Sequence, residues 1–144
     1  MDELTIPAEL LAQIVSHCRR AYPEEACGLF ALDGRRVVAA WPGTNILHSP
    51  VRYRMAGEEV ARLMWTIEEE RGLEAGAYHS HPHGPDALSP TDLAEIGCSH
   101  NLLVAHVTHE RPAVHVFRVT RGRVARVALR VEGAPSERDA GYSS

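Results

Sequence analysis

Apolar residues recur at helical spacing near the start of the chain. Leu10, Leu11, Ile14, Val15 and Cys18 fall on one stripe behind Pro7, and Tyr22-Pro23 closes the segment, so a first helix is predicted there. The period then changes. In ACGLFALDGRRVVAAW two apolar runs flank Asp33-Gly34, a pair that favours the positive backbone angles of a tight turn, and two antiparallel strands are predicted. PGTNILHSP has the turn-former content of a loop, and RYRM at 52–55 is a short strand candidate. Val60, Leu63, Met64 and Ile67 space out a second helix, with Gly72 behind it. A strand through residues 78–81 follows, then a loop and a helix from residue 89 to about 98. Three more strands read NLLVAHVT, AVHVFRVT and RVARVALRV, the last two around the hairpin turn Arg121-Gly122. Helices alternating with strands predict a single α/β domain over residues 1–131, a mixed sheet with helices packed on it. Residues 132–144 are small and polar with nothing to bury, and read as a C-terminal tail.

Composition narrows the function classes. A chain of 144 residues that is 44% hydrophobic can fill one core without disulfides. The net charge of -4, with basic residues scattered, offers no stripe to neutralise phosphates, so no nucleic-acid partner is expected. No apolar run approaches membrane-spanning length, and none is flanked as a signal peptide would be; no membrane partner is expected. Cys18, Cys27 and Cys98 are odd in number and form no C-x-x-C pair, which reads as buried thiols in a reducing compartment and a cytoplasmic protein.

The chemistry concentrates in HSHPHGPDALSPTD, residues 79–92. Alternate strand residues share a face, so His79 and His81 project together from a strand end while Ser80 turns to the other layer. Pro82, which has no N–H for a ladder, ends the strand there. Ser89-Pro90-Thr91-Asp92 reads as a helix start, with Ser as N-cap and Pro at the first helical position, which puts Asp92 in the first turn, where the helix dipole favours a carboxylate. Two imidazoles and one carboxylate make a three-ligand site. Zinc held by three protein ligands keeps its fourth position for water, as catalytic sites do. A plainer reading stands beside this one: Ser89 and Asp92 form a capping box, and the histidines belong to the core or the surface. Both roles can coexist. Three other metal folds do not fit. An H-x-H-x-D-H hydrolase needs Asp where Pro82-His83 stands, an amidohydrolase barrel needs a chain of about 250 residues, and no H-E-x-x-H helix is present.

The spacing H-x-H, ten residues, then D, with Pro82 after the second histidine and Ser89 three before Asp92, resembles the signature of JAMM (MPN-plus) metalloproteases. The resemblance extends upstream, where YPEEACGLF places Glu25 in the family's glutamate slot, and it covers roughly residues 5–130. It implies the JAMM fold, itself similar to cytidine deaminases, and it implies zinc on His79, His81 and Asp92. It also implies Glu25 as general base and Ser89 as a donor to the oxyanion. The residues alone do not choose Glu25 over Glu24, Glu58 or Glu59.

The family includes insertion-bearing isopeptidases that remove ubiquitin and compact prokaryotic enzymes that act on ubiquitin-like sulfur carriers ending in Gly-Gly. This chain looks like the compact type, close to enzymes that release cysteine from the carrier's C-terminus. The segments 44–55 and 83–88 are candidates for the groove that holds the Gly-Gly tail. Two other readings are a non-catalytic MPN scaffold, which would have lost ligands that are all present here, and a zinc hydrolase of a small amide. A sheet-edge homodimer is left open. Cys27 reads as apolar filler with no cationic neighbour to activate it, and Phe30 as core. His83 reads as a solvated loop residue, and the other histidines show no spacing for a second metal. Trp41 and Trp65 are expected to fill the core or its edge.

Overall fold

The computed structural model describes residues 3–95 and 97–133. Along the chain come strand β1 (Glu3–Pro7), helix α1 (Ala8–Ala21), strands β2 (Cys27–Asp33) and β3 (Arg36–Pro42), helix α2 (Gly57–Met64), strand β4 (Glu74–His81), helix α3 (Pro90–Glu95) and strands β5 (His100–Ala105), β6 (Ala113–Thr120) and β7 (Arg123–Glu132). The sheet is mixed, as expected, and closes into a barrel in the order β1-β3-β2-β4-β5-β6-β7. β1 closes it by pairing in parallel with β7 over five residues and touching β3 at Thr5. Each strand therefore has a neighbour on both sides, and closure removes the open edges through which sheets pair.

The two faces of the sheet carry different cores. On one, α1 buries Leu10, Leu11, Ile14, Val15 and Cys18 against Ile6, Phe30, Tyr78, Leu102 and Val116, so every predicted residue of the first helical stripe faces inward. On the other, Leu63 and Ile67 pack on Leu29, Ala31, Ala75 and Ala77. The strand alternation assigns the faces: Tyr78 and Ser80 point toward α1, and Ala77, His79 and His81 toward α2. Gly28 shows how tightly β2 and β4 approach. A Cβ there would lie 2.4 Å from the Tyr78 ring and 2.5 Å from the Trp41 carbonyl oxygen. Because that oxygen is backbone, the contact cannot be relieved by a rotamer change. Gly28→Ala is expected to destabilise the fold by about 1–3 kcal/mol, read as a lower urea midpoint at unchanged slope.

Several expectations are corrected. β1 is not among the expected strands; all five of its residues pair with β7, at the far end of the described chain. The segment 52–55 is not a strand: the Asn45 side chain bonds the Arg52 carbonyl and the Arg54 N–H, Ser49 Oγ accepts the Arg52 N–H, and the Arg54 carbonyl accepts the Ile46 N–H. The first hairpin turns one residue later than expected, at Gly34-Arg35, with Gly34 at φ 62°. The second uses Arg121 and Gly122, both at positive φ. Helix α2 continues as one π-helical stretch, Trp65–Glu70. Trp65 is 57% exposed, so it does not fill the core, whereas Trp41 is half-buried at the edge of the second cluster. α3 ends at Glu95, short of residue 98. β5 stops at Ala105, since His106 takes φ 56°. The expected tail begins inside β7 and otherwise lies outside the described residues. No helix of the described residues is long and apolar enough to cross a membrane.

Candidate metal centre

Four side chains converge at the end of β4. Glu25, His79, His81 and Asp92 each offer a ligand atom, and these atoms all lie within 4.8 Å of one another, every one of the four residues buried. Each arrives by a different local rule. His79 and His81 share a face of β4, and Ser80 between them faces the other way, its Oγ accepting the Ala26 N–H at 2.8 Å. Cys27 stands opposite His79 in the β2–β4 register, which sets Glu25, two residues earlier, beside the histidines. The Glu25 backbone is pinned there: its N–H donates to the Ser49 carbonyl at 2.8 Å and its carbonyl accepts from Asn45 Nδ2 at 3.0 Å.

Asp92 takes both readings that the sequence left open. Its N–H donates to Ser89 Oγ at 3.0 Å and its Oδ2 accepts the Ser89 N–H at 2.8 Å, so the two residues cap α3 reciprocally. The same Oδ2 lies 3.0 Å from His81 Nε2 and 3.3 Å from His79 Nε2. Burial pushes the Asp92 carboxyl up, but the two imidazoles and the Ser89 amide outweigh it and hold the group well below the usual carboxylate range. Burial likewise works to lower His81, and Asp92 and the Pro85 carbonyl outweigh it, so His81 is raised. His79, wholly buried, is lowered by desolvation. Desolvation also raises Glu25, to about 8, with Asp92 nearby opposing the helpful pull of His81. Glu25 Oε1 and both His79 ring nitrogens are buried without a hydrogen-bond partner. Unpartnered buried polar atoms within a cluster this tight mark a place where a cation would supply what the protein withholds.

The loop 83–88 supports the site from outside. His81 Nδ1 lies 2.7 Å from the Pro85 carbonyl, which can only accept, so Nδ1 carries the proton and Nε2 of the neutral ring keeps the lone pair a metal needs. The next residue, Asp86, receives His106 Nε2 at 2.5 Å and His115 Nε2 at 3.1 Å on its two oxygens. Gly84, at φ 91°, passes so close to His106 that a Cβ would meet its ring at 2.7 Å. Three side chains that showed no sequence spacing thus clamp the loop that orients His81. His83 is exposed, as expected, and meets the Tyr22 hydroxyl at 3.1 Å.

The structure separates the glutamates that the residues alone did not. Glu24 pairs with His48, Glu59 accepts the Thr44 N–H, and Glu58 is exposed. Cys27 is buried, its thiol pushed up to about 12 by desolvation, in keeping with a filler role. Tyr53, which sequence reasoning passed over as part of a strand candidate, is stacked on His79. Its one signal was an aromatic residue within a loop.

Comparison with known proteins places these features. A family model described as prokaryotic homologs of the JAB domain matches residues 7–122. The CysO-cysteine peptidase of Mycobacterium tuberculosis is 31% identical over 132 residues, covering 89% of this chain and 90% of that one. A probable TtuB-protein conjugate cleaving protease of Thermus thermophilus is 34% identical over 129 residues, covering 88% and 83%. Among solved structures, AF2198, a JAB1/MPN domain protein from Archaeoglobus fulgidus, superposes with a TM-score of 0.58 over 88% of this chain and 97% of that one; at 15% identity it shows the fold.

Proposed function

Since the chain belongs to the prokaryotic JAB-domain family and is thereby a JAMM-type protease, we propose that it hydrolyses the bond after the C-terminal Gly-Gly of a ubiquitin-like sulfur carrier. The residue released is cysteine or a conjugated amine, and the reaction runs in the cytoplasm, where Cys18, Cys27 and Cys98 stay reduced. The observation that carries this reading is the buried quartet, with its four ligand atoms within 4.8 Å and three of its polar atoms unpartnered. Two imidazoles and a carboxylate suit zinc, and His79, His81 and Asp92 would hold it. When bound, zinc supplies Lewis acidity, lowering the pKa of a water and polarising the scissile carbonyl.

The chain's own residues do the rest. Glu25 Oε1, buried and unpartnered, takes a proton from the attacking water and returns it to the leaving nitrogen. In the metal-free protein burial raises its proton affinity above that of an ordinary carboxylate. Ser89 Oγ already accepts the Asp92 N–H, which leaves its O–H free to donate to the carbonyl oxygen as negative charge develops. The segments 44–55 and 83–88 flank the quartet and are the two walls against which an extended Gly-Gly tail would lie.

Mass spectrometry of a sulfur-carrier protein bearing a cysteine after its terminal Gly-Gly, incubated with the zinc-loaded protein, tests the proposal. The expected result is loss of one cysteine residue's mass from the folded carrier and little cleavage of a short peptide of the same C-terminal sequence. An untouched carrier beside a cleaved small amide would overturn the carrier assignment, and cleavage of neither would favour a scaffold.

A further inference from the structure

The side chains that converge on the site are not held in the same way. His81 is fixed by its Nδ1–H to the Pro85 carbonyl, and Asp92 by the Ser89 N–H. His79 Nδ1 has no hydrogen-bond partner, and its Nε2 makes only a 3.3 Å approach to Asp92 Oδ2. A metal-binding histidine is ordinarily held by a hydrogen bond at its other nitrogen, which sets both the tautomer and the plane of the ring. Without it the plane of the ring has to be set by packing, because rotation between the tetrahedral Cβ and the planar ring has broad, roughly two-fold wells.

A ring contact can replace that bond. The Tyr53 ring lies over the His79 ring with centroids 4.7 Å apart and planes 25° apart, and Tyr53 is itself buried. Rotating the imidazole out of this near-parallel arrangement would drive its edge into the phenol face. Tyr53 is in turn held firmly. Asn45, buried, donates through Nδ2 to the carbonyls of Glu25 and Arg52 at 3.0 Å, and its Oδ1 accepts the N–H groups of Leu47 at 3.1 Å and Arg54 at 3.2 Å. Arg54 reaches Glu95 on α3 with two nitrogens, at 3.0 and 3.2 Å. The segment 44–55 is thus tied to the backbone of Glu25 on one side and to the helix that bears Asp92 on the other, with Tyr53 between them.

We propose that Tyr53 is the positioning residue for His79, setting the imidazole plane by stacking where His81 and Asp92 use hydrogen bonds. The proposal rests on the reading of the quartet as a metal centre. It assigns the work to the aromatic face and not to the hydroxyl, which gives it a sharp test. Tyr53→Phe keeps the face. Tyr53→Leu fills a similar volume without one, and Tyr53→Met does the same with a more adaptable side chain should the leucine variant not fold.

The test is titration of the metal-free full-length protein and these variants with cobalt(II), followed by its visible d–d absorption, and competition with zinc for affinity, with urea unfolding of each metal-free form as the control for folding. Tyr53→Phe should match the wild type in affinity and spectrum. Tyr53→Leu and Tyr53→Met should bind about 10–100-fold more weakly, with an altered cobalt spectrum, the range found when other groups that orient metal ligands are removed. Equal affinity and spectrum in the leucine and phenylalanine variants would overturn the proposal, as would a phenylalanine variant as weak as the leucine one. If the wild type takes up neither metal, the metal reading falls and this inference with it.

Discussion

Glu25→Gln is expected to lower kcat against a Gly-Gly-terminated carrier by about 10²–10⁴-fold, the range a positioned acid–base group contributes, while the protein still takes up one zinc. Glutamine keeps the shape and burial of Glu25 but cannot accept a proton at Oε1. Steady-state cleavage and a metal assay on the same sample separate the roles: loss of zinc together with activity would make Glu25 a fourth ligand and not the base. A second readout follows from the same burial. In the metal-free protein Glu25 is raised from 4.5 to about 8 in the folded state, so between those values the folded chain binds more protons than the unfolded one. Stability therefore falls as pH rises through this window and is at its relative best below it. Urea unfolding of the metal-free wild type across pH 4.5–8, compared with Glu25→Gln, should show that decline in the wild type and a shallower one in the variant, with the other titrating groups cancelling in the comparison.

The second large effect is expected at Asp92. Asp92→Asn preserves volume and the contact with Ser89, yet replaces the anionic oxygen that lies 3.0 and 3.3 Å from the two imidazoles with a neutral group. Stoichiometric zinc binding should be lost and cleavage should drop to background, as it should when the wild type is stripped with a chelator. Returning zinc to the stripped wild type should restore activity, and zinc at 100 times its Kd should raise stability by about 2.7 kcal/mol. The metal-free chain should nevertheless stay folded. Both hydrophobic clusters are complete without the site, which sits at the end of β4 beyond them. A variant that keeps full activity with asparagine at 92 would remove Asp92 from the ligand set.

These two residues were legible to different degrees, and the difference is physical. Asp92 could be placed because its position follows from local chemistry: a Ser-Pro start fixes the first helical turn, and strand alternation fixes where His79 and His81 point. Glu25 could be named only by resemblance. Three other glutamates stand in equally polar surroundings along the chain, and what singles Glu25 out is the β2–β4 register, which sets Cys27 opposite His79. Tyr53 and the Asp86 clamp were not legible at all. Their partners lie 26, 20 and 29 residues away, with no periodicity or spacing to connect them.

Taken alone, the sequence determined the elements whose information is contained within a turn or a few residues: both amphipathic helices, the β6–β7 hairpin at Arg121-Gly122, the H-x-H strand and the capped start of α3. Period, turn chemistry and capping act over that range, so they can be read without knowing the fold. Tertiary structure decided what depends on partners far along the chain. β1 becomes a strand because β7 is there to pair with it. The same distant contacts bury Glu25 beside the histidines, stack Tyr53 on His79 and close the barrel, since burial and pairing are settled by whichever groups the folded chain brings together.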